Sequence, residues 1–247
     1  MKYLSNVPTA LNFRLISHSK KLFLFCKKNL YFFYLFLFCY IYPIVFLLEC
    51  GVNILYIFNY IYMKKELPSH LGGSMGVCHV DLGVLEFALS LGVDSLLDIG
   101  CGLGVMVELG MSFGLHSFGV DGDYSIIRNP ILSNNILIHD YTNGSSGLLN
   151  NFGMVWSCEF LEHVDEIYIS HYMKDFQLGK YIFITHAPVG KLGHHHVNCQ
   201  NSDYWIKVFN DYGFELSYGL TLKARSCSSM SREFFRENGL VFINKRR

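Results

Sequence analysis

From residue 81 to the C-terminus, short apolar runs alternate with longer stretches that carry an apolar face at helical spacing. Residues 95–99, 116–120, 135–139, 154–157, 181–185, 214–218 and 240–243 have the length and composition of strands. Residues 81–91, 105–113, 161–176 and 202–212 read as helices, the last opened by Asn201 or Ser202 as N-cap. Strands alternating with helices predict one α/β domain whose seven-stranded, mostly parallel sheet is covered by helices on both faces. The polar, glycine-rich stretch 142–151 is a connection inside that domain and not a boundary.

The pattern is different before Met63. Residues 30–48 form 19 consecutive uncharged positions, LYFFYLFLFCYIYPIVFLL, long enough for a membrane span. The 13 residues from Gly51 to Met63 are too short for a second independent span. Composition sharpens the division. Over the whole chain 20 basic residues balance 20 acidic ones, yet residues 1–62 carry six basic residues and one acid. Seventeen of the 39 aromatic residues lie there, against one of the 22 glycines. Residues 1–62 thus form a separate apolar, helical N-terminal segment, and residues 63–247 the folded domain. Three origins fit that segment: an upstream extension ahead of a start at Met63, a membrane anchor through residues 30–48, or a soluble helical extension. The lysines before residue 30 favour a cytoplasmic N-terminus, so a single span would carry the domain to the opposite side. A domain using a cytosolic metabolite is expected in the cytoplasm, anchored to the membrane only if residues 1–62 belong to the natural chain.

Residues 63–247 carry a net charge of −5, with no basic run before Lys245-Arg246-Arg247. That argues against a nucleic-acid partner. The eight cysteines are scattered, with no C-x-x-C pair, and read as reduced thiols.

The chemistry concentrates at the predicted carboxyl ends of strands. The first strand runs into Asp98-Ile99-Gly100-Cys101-Gly102-Leu103-Gly104 and then a helix. In open α/β sheets ligands bind at this end, and glycines let the backbone approach them closely. A nicotinamide fingerprint would need its third glycine at position 105, which is Val105. An acid at Asp98 also repels a pyrophosphate and suits a cationic ligand. The second strand ends in Asp121-Gly122-Asp123, at the distance where a carboxylate accepts from ribose hydroxyls. The third ends in His139-Asp140-Tyr141, and the fourth runs into Cys158-Glu159-Phe160-Leu161-Glu162-His163.

Together LLDIGCGLG, GVDGD, HDY and WSCEFLEHV resemble the class I S-adenosylmethionine-dependent methyltransferases, over residues 76–220. The resemblance implies a Rossmann-like fold and S-adenosylmethionine as cofactor. It implies that Asp98, Gly100, Gly102 and Gly104, with Cys101 between them, surround the methionine part of that cofactor. It places Asp121, with Gly122 beside it, at the ribose. It places Asp140 at the adenine amino group with Tyr141 next to it, and Cys158 and Glu159 in the pocket wall. The expected reaction is methyl transfer to an oxygen or nitrogen of a small-molecule or metabolite acceptor. The alternatives are a metal-assisted RNA 2′-O-methyltransferase or a cofactor-binding module without catalysis.

Two clusters offer acceptor chemistry. Glu159, Glu162 and His163 have the spacing of one face at a helix start. An E-x-x-E-H of this kind is similar to the metal site of some small-RNA and quinone-precursor methyltransferases. The acids equally suit a helix N-terminus, and no metal is assigned. The second cluster is His194-His195-His196, with Cys199, in the loop after the fifth strand. Three adjacent histidines cannot all face one ion. His195, His196 and His163 are the candidates for a general base. Trp205 and Phe209 are expected to pack a helix on the sheet. Residues 223–238, with Arg225, Arg232 and Arg236, read as a solvated face with a lesser claim to grip an anionic acceptor.

Overall fold

The structure is a computed structural model, and it describes residues 67–72, 77–124, 126 and 134–247. The predictions for residues 1–62 and for the join at Met63 lie outside the described residues. Among the described residues no helix is long and apolar enough to cross a membrane.

Seven strands form one sheet: β1 (Ser95–Ile99), β2 (His116–Asp121), β3 (Ile136–Ile138), β4 (Phe152–Ser157), β5 (Gly179–Ile184), β6 (Phe214–Leu216) and β7 (Leu240–Asn244). Their order is β3-β2-β1-β4-β5-β7-β6. Pairs among β1 to β5 are parallel, and β7 runs antiparallel to β5 and β6. This is the seven-stranded, mostly parallel sheet that the alternation predicted, in the Rossmann-like form that the resemblance implied. The strand order reverses between β1 and β4, and that switch point opens a crevice at the carboxyl ends.

Alternate residues of the central strands bury on opposite faces. Leu97, Ile99, Val155, Ile182, Ile184 and Phe242 join one core, under helices α3 (Ile169–Phe176) and α4 (Ser202–Asp211) through Tyr172, Phe176, Trp205 and Phe209. Leu96, Met154, Trp156, Phe183 and Val241 join the other, under α1 (Leu82–Ser90), α5 (Tyr218–Cys227) and α6 (Phe234–Asn238). Helix α2 (Val105–Ser112) starts directly from the glycine loop and adds Met106 to the second core. Trp205 and Phe209 are fully buried, as their spacing implied.

Two predicted elements differ. Residues 161–176 do not form one helix. Two 3₁₀ turns, Leu161–His163 and Glu166–Tyr168, precede α3. The Glu162 carbonyl accepts from the backbone N–H groups of Val197 and Asn198 at 2.9 and 3.1 Å, so a distant loop takes the acceptor that an α-helical turn would use. Residues 218–227, read partly as strand and partly as solvated face, are helix α5. Arg225 donates to the Gly239 carbonyl and Arg236 pairs with Glu233, so only Arg232 of the three arginines lines the cavity described below.

Asp81 joins the first and last parts of the domain. It caps α1 through Val84 N–H and also accepts from Ser228 Oγ at 2.5 Å and Ser229 N–H at 2.9 Å. This fully buried carboxylate fixes residues 228–229, just ahead of the cavity-lining Ser231 and Arg232.

Candidate active site

A single cavity of about 1010 Å³ lies over the switch point. Drug-sized ligands occupy roughly 300–1,000 Å³, so there is room for a nucleoside cofactor and part of a second molecule. Its walls come from the ends of β1 to β5, from residues 70–72 and 77–79, and from residues 231–238.

The glycine loop leaves β1 with positive φ at Gly100, Gly102 and Gly104 (78°, 51° and 75°). Gly100 must be glycine for a second reason. A Cβ there would lie 2.6 Å from the Phe160 ring, so the loop after β4 packs directly on the loop after β1. Asp121 holds the arrangement, accepting Gly102 N–H at 2.7 Å and Asp123 N–H at 2.8 Å. Asp98 is 3% exposed. Burial and the neighbouring Asp121 charge push its carboxyl well above the usual range, and burial raises Asp121 despite its backbone donors. Two desolvated acids side by side make a site that favours a cation.

Asp140 lies two residues beyond β3 and caps the 3₁₀ turn Tyr141–Asn143, accepting Thr142 N–H at 2.9 Å. Its other oxygen lies 2.9 Å from His70 Nε2. Burial alone would raise Asp140, but the hydrogen bonds from His70 and Thr142 outweigh it and lower the carboxyl below its ordinary value. Tyr141 lines the cavity, but its hydroxyl turns into the core and donates to Asp175 at 2.6 Å. Cys101 and Cys158 sit in the wall as desolvated thiols whose protonation points are pushed up, first by burial and then by nearby carboxylates. Neither is a thiolate nucleophile.

The two clusters beyond β4 and β5 converge. Glu159 takes a positive φ of 53° and donates its N–H to Thr185 Oγ1 at 2.8 Å, which re-aims the chain into the Leu161–His163 turn. Glu162 is fully buried, and neither carboxylate oxygen has a hydrogen-bond partner among the described residues. Burial, then the Glu159 charge, pushes its protonation point well up. The His163 ring meets the His196 ring at 4.9 Å, edge to face. Ligand atoms of Glu162, His163 and His196 all lie within 4.8 Å of one another. This set differs from the Glu159-Glu162-His163 set read from sequence: the helix face does not form, Glu159 drops out and His196 enters. His196 Nδ1 lies 3.0 Å from the Lys191 carbonyl, which only accepts, so Nδ1 is the donor, and 3.5 Å from Cys199 Sγ. His163 Nδ1 is buried without a partner, and burial with the His196 charge lowers its pKa to about 4. His195 stands apart, with a positive φ of 47° and its ring 6.2 Å from His70.

Several cavity residues carried no signal in the sequence reading: His70, Leu71, Cys78, His79 and His186. His186 follows β5 directly, so the rule that ligands bind at carboxyl ends of strands would have found it. It is 2% exposed, its Nε2 lies 2.9 Å from Ser202 Oγ, and burial lowers its pKa to about 4. Cys78 accepts from Leu103 N–H, bracing the glycine loop from outside.

No family model and no curated protein matches the chain. Solved structures similar to it include a TehB-like S-adenosylmethionine-dependent methyltransferase from Corynebacterium glutamicum, at 16% identity, covering 66% of this chain and 88% of that one, TM-score 0.48. Magnesium protoporphyrin IX methyltransferase from Synechocystis, with bound S-adenosylmethionine, is 15% identical over 66% of this chain and 76% of its own, TM-score 0.45. The methyltransferase domain of bacterial CtHen1 is 15% identical over 65% and 95%, TM-score 0.44.

The lowered pKa of His186 gives a signed prediction. The folded chain keeps this ring neutral down to about pH 4, whereas the unfolded chain takes up a proton near 6.5. The group's contribution to stability is therefore lost as pH falls through that window. In urea denaturation, the stability difference between wild type and His186→Gln is expected to shrink steadily from pH 7 to pH 4.5. A difference independent of pH would show that the ring is not held neutral. The strand order and the cavity at the switch point are those of the Rossmann-like fold that the resemblance implied.

Proposed function

We propose that the protein is an S-adenosylmethionine-dependent methyltransferase that methylates an oxygen or nitrogen of a small-molecule acceptor. The observation that carries this reading is the acidic rim. Asp98, Asp121 and Asp140 end three adjacent strands around one cavity, two of them desolvated beside a glycine loop. That donor set suits a cationic ligand with an amino group and hydroxyls, and repels a pyrophosphate. When bound, S-adenosylmethionine supplies a methyl group on a cationic sulfur. The protein's residues do the rest by position. Asp98 and Asp121 hold the cationic end and the ribose, and Phe160 packs against the loop that carries them. His163, neutral above about pH 4, and His196 line the cavity and are the groups placed to take the acceptor's proton. The protein surface lends no support to an RNA acceptor, because the domain is net acidic.

One observation favours a second reading, in which transfer is metal-assisted. Ligand atoms of the buried Glu162 carboxylate and of two imidazoles lie within 4.8 Å of one another, within the reach of one ion. Two histidines and one carboxylate suit Mn²⁺, Fe²⁺ or Zn²⁺ better than Mg²⁺ or Ca²⁺. Such an ion would satisfy Glu162, whose burial is otherwise tolerable only in the neutral form. Glu162, His163 and His196 would hold it, with the Lys191 carbonyl fixing His196 from behind.

Three outcomes are expected. Calorimetry detects binding of S-adenosylmethionine and none of NAD, and Asp121→Ala weakens the former about 30-fold or more, the loss of hydrogen bonds to a charged acceptor. Absence of binding by wild type removes the reading. Label from methyl-labelled cofactor passes into the small-molecule fraction of a cell extract. Label found only in RNA would overturn the acceptor class. Titration of Mn²⁺ followed by electron paramagnetic resonance shows binding that Glu162→Gln weakens about tenfold or more. A free-ion signal undiminished by wild-type protein would reject the metal.

A further inference from the structure

Residues 228–233 join α5 to α6 as an irregular strap, and Ser231, Arg232 and Glu233 of it line the cavity. The backbone of the strap is held at several points. Asp81 takes Ser228 Oγ and Ser229 N–H. Met230 is buried in the second core. The Arg236 guanidinium donates to the carbonyls of Ser228 and Arg232 at 3.2 and 3.3 Å, which ties the two ends of the strap together. It also takes both Glu233 oxygens, at 2.5 and 2.6 Å. Just beyond, Phe234 meets the His79 ring edge to face at 4.9 Å, and Phe235 stacks on Trp156 at 5.4 Å.

This clamp decides which charges remain unanswered. Lys191 and Arg232 are the permanent cations in the cavity wall. Burial raises the Glu159 carboxyl and the Lys191 charge is among the groups that pull it back, so Lys191 has an acid to face. Glu233, the acid beside Arg232, is committed to Arg236. Glu237 lines the cavity as well, one residue beyond Arg236. Among the described residues the Arg232 guanidinium has no ion pair and no hydrogen bond. Its charge reaches His79, whose pKa is lowered by burial first and by Arg232 second. The strap leads into β7, whose first residue, Leu240, pairs with Ile184 at the end of β5. It therefore stands on the β5 side of the switch point with His186 and residues 194–196, away from Asp121 and Asp140 beside β2 and β3.

We infer that Arg232, with the Ser231 hydroxyl and the His79 ring beside it, forms a carboxylate subsite for the acceptor, so that the protein methylates small molecules carrying a carboxylate away from the reacting atom. A guanidinium fork matches a carboxylate with two parallel hydrogen bonds. One unanswered positive charge balances one negative charge, which suits a carboxylate better than a doubly charged phosphate. The fixed backbone of the strap leaves only the Arg232 side chain to be ordered on binding. The inference rests on the methyltransferase reading and adds to it a charge class for the acceptor. The cofactor's own carboxylate has the same chemistry, so the two sources must be separated by experiment.

The full chain is incubated with methyl-labelled S-adenosylmethionine and the small-molecule fraction of a cell extract. Products, freed of unreacted cofactor, are separated by anion exchange at pH 7. Wild type is expected to place most of the label in the retained, acidic fraction. Arg232→Gln is expected to slow that labelling about tenfold or more, the loss of hydrogen bonds to a charged group. Arg232→Lys, which keeps the charge and loses the fork, is expected to fall between the two. Binding of S-adenosylhomocysteine, read by calorimetry, is expected to be the same in wild type and both variants. Label mainly in the unretained fraction, or Arg232→Gln labelling acids at the wild-type rate, overturns the inference and leaves the methyltransferase reading standing. A loss of S-adenosylhomocysteine affinity in Arg232→Gln as large as its loss of rate assigns the guanidinium to the cofactor's carboxylate and overturns the inference as well. Absence of label from every small-molecule fraction overturns it together with the methyltransferase reading.

Discussion

The site depends on the carboxylate of Asp121. It takes the Gly102 and Asp123 backbone N–H groups on its two oxygens and so ties the turn after β1 to the turn after β2. Neither turn has a regular ladder to hold it at that point. Gly100 and Cys101 still lean on the Val120 carbonyl, Gly102 turns to Asp121, Leu103 to Cys78 and Gly104 to the Cys101 carbonyl. The cost is electrostatic. Asp121 is desolvated, and Asp98 lies buried close enough for each charge to be felt. Burying like charges together is unfavourable unless something cationic or hydrogen-bonding arrives to offset it.

How much of this was legible in the sequence follows from the range of each interaction. The strands were legible because β1, β4 and β5 bury both faces, which leaves apolar runs such as Tyr181–Ile184. The glycine loop was legible because its geometry is local: positive φ at alternate residues leaves glycine at alternate positions. Helix α5 was not legible. It buries only Thr221 and Ala224, so no apolar stripe marks it. The single helix expected at 161–176 failed because the Glu162 carbonyl bonds 35 residues away, to Val197. No local propensity records such a contact. His70 was invisible for the same reason, since its partner is 70 positions distant.

The histidines show a subtler limit. The sequence offered two clusters, each weighed alone, and each was poor as a metal site. One had two acids and one imidazole on an expected helix. The other had three imidazoles that could not all face one point. Folding takes two members of the first and one of the second, and leaves Glu159 and His195 aside. The selection is made by backbone: Glu159 and His195 are the two non-glycine residues at positive φ among those described. Each sits where the chain must turn sharply to bring its neighbours inward.

That turn after β4 also sets how the two halves of the cavity are spaced. Phe160 packs on Gly100 and so fixes the turn to the cofactor side. Two residues later the Glu162 carbonyl holds Val197 and Asn198 and so fixes the acceptor-side loop. The spacing between the glycine loop and His163 or His196 is therefore set by three consecutive residues of backbone, Phe160 to Glu162. The exposed tip residue Leu192 is free to vary, whereas Gly193 is not, because a Cβ there would lie 2.2 Å from His196 Nε2. The same separation explains why the buried Glu162 carries both a structural carbonyl and a chemically free carboxylate: the backbone is committed to spacing, and the side chain is left for chemistry.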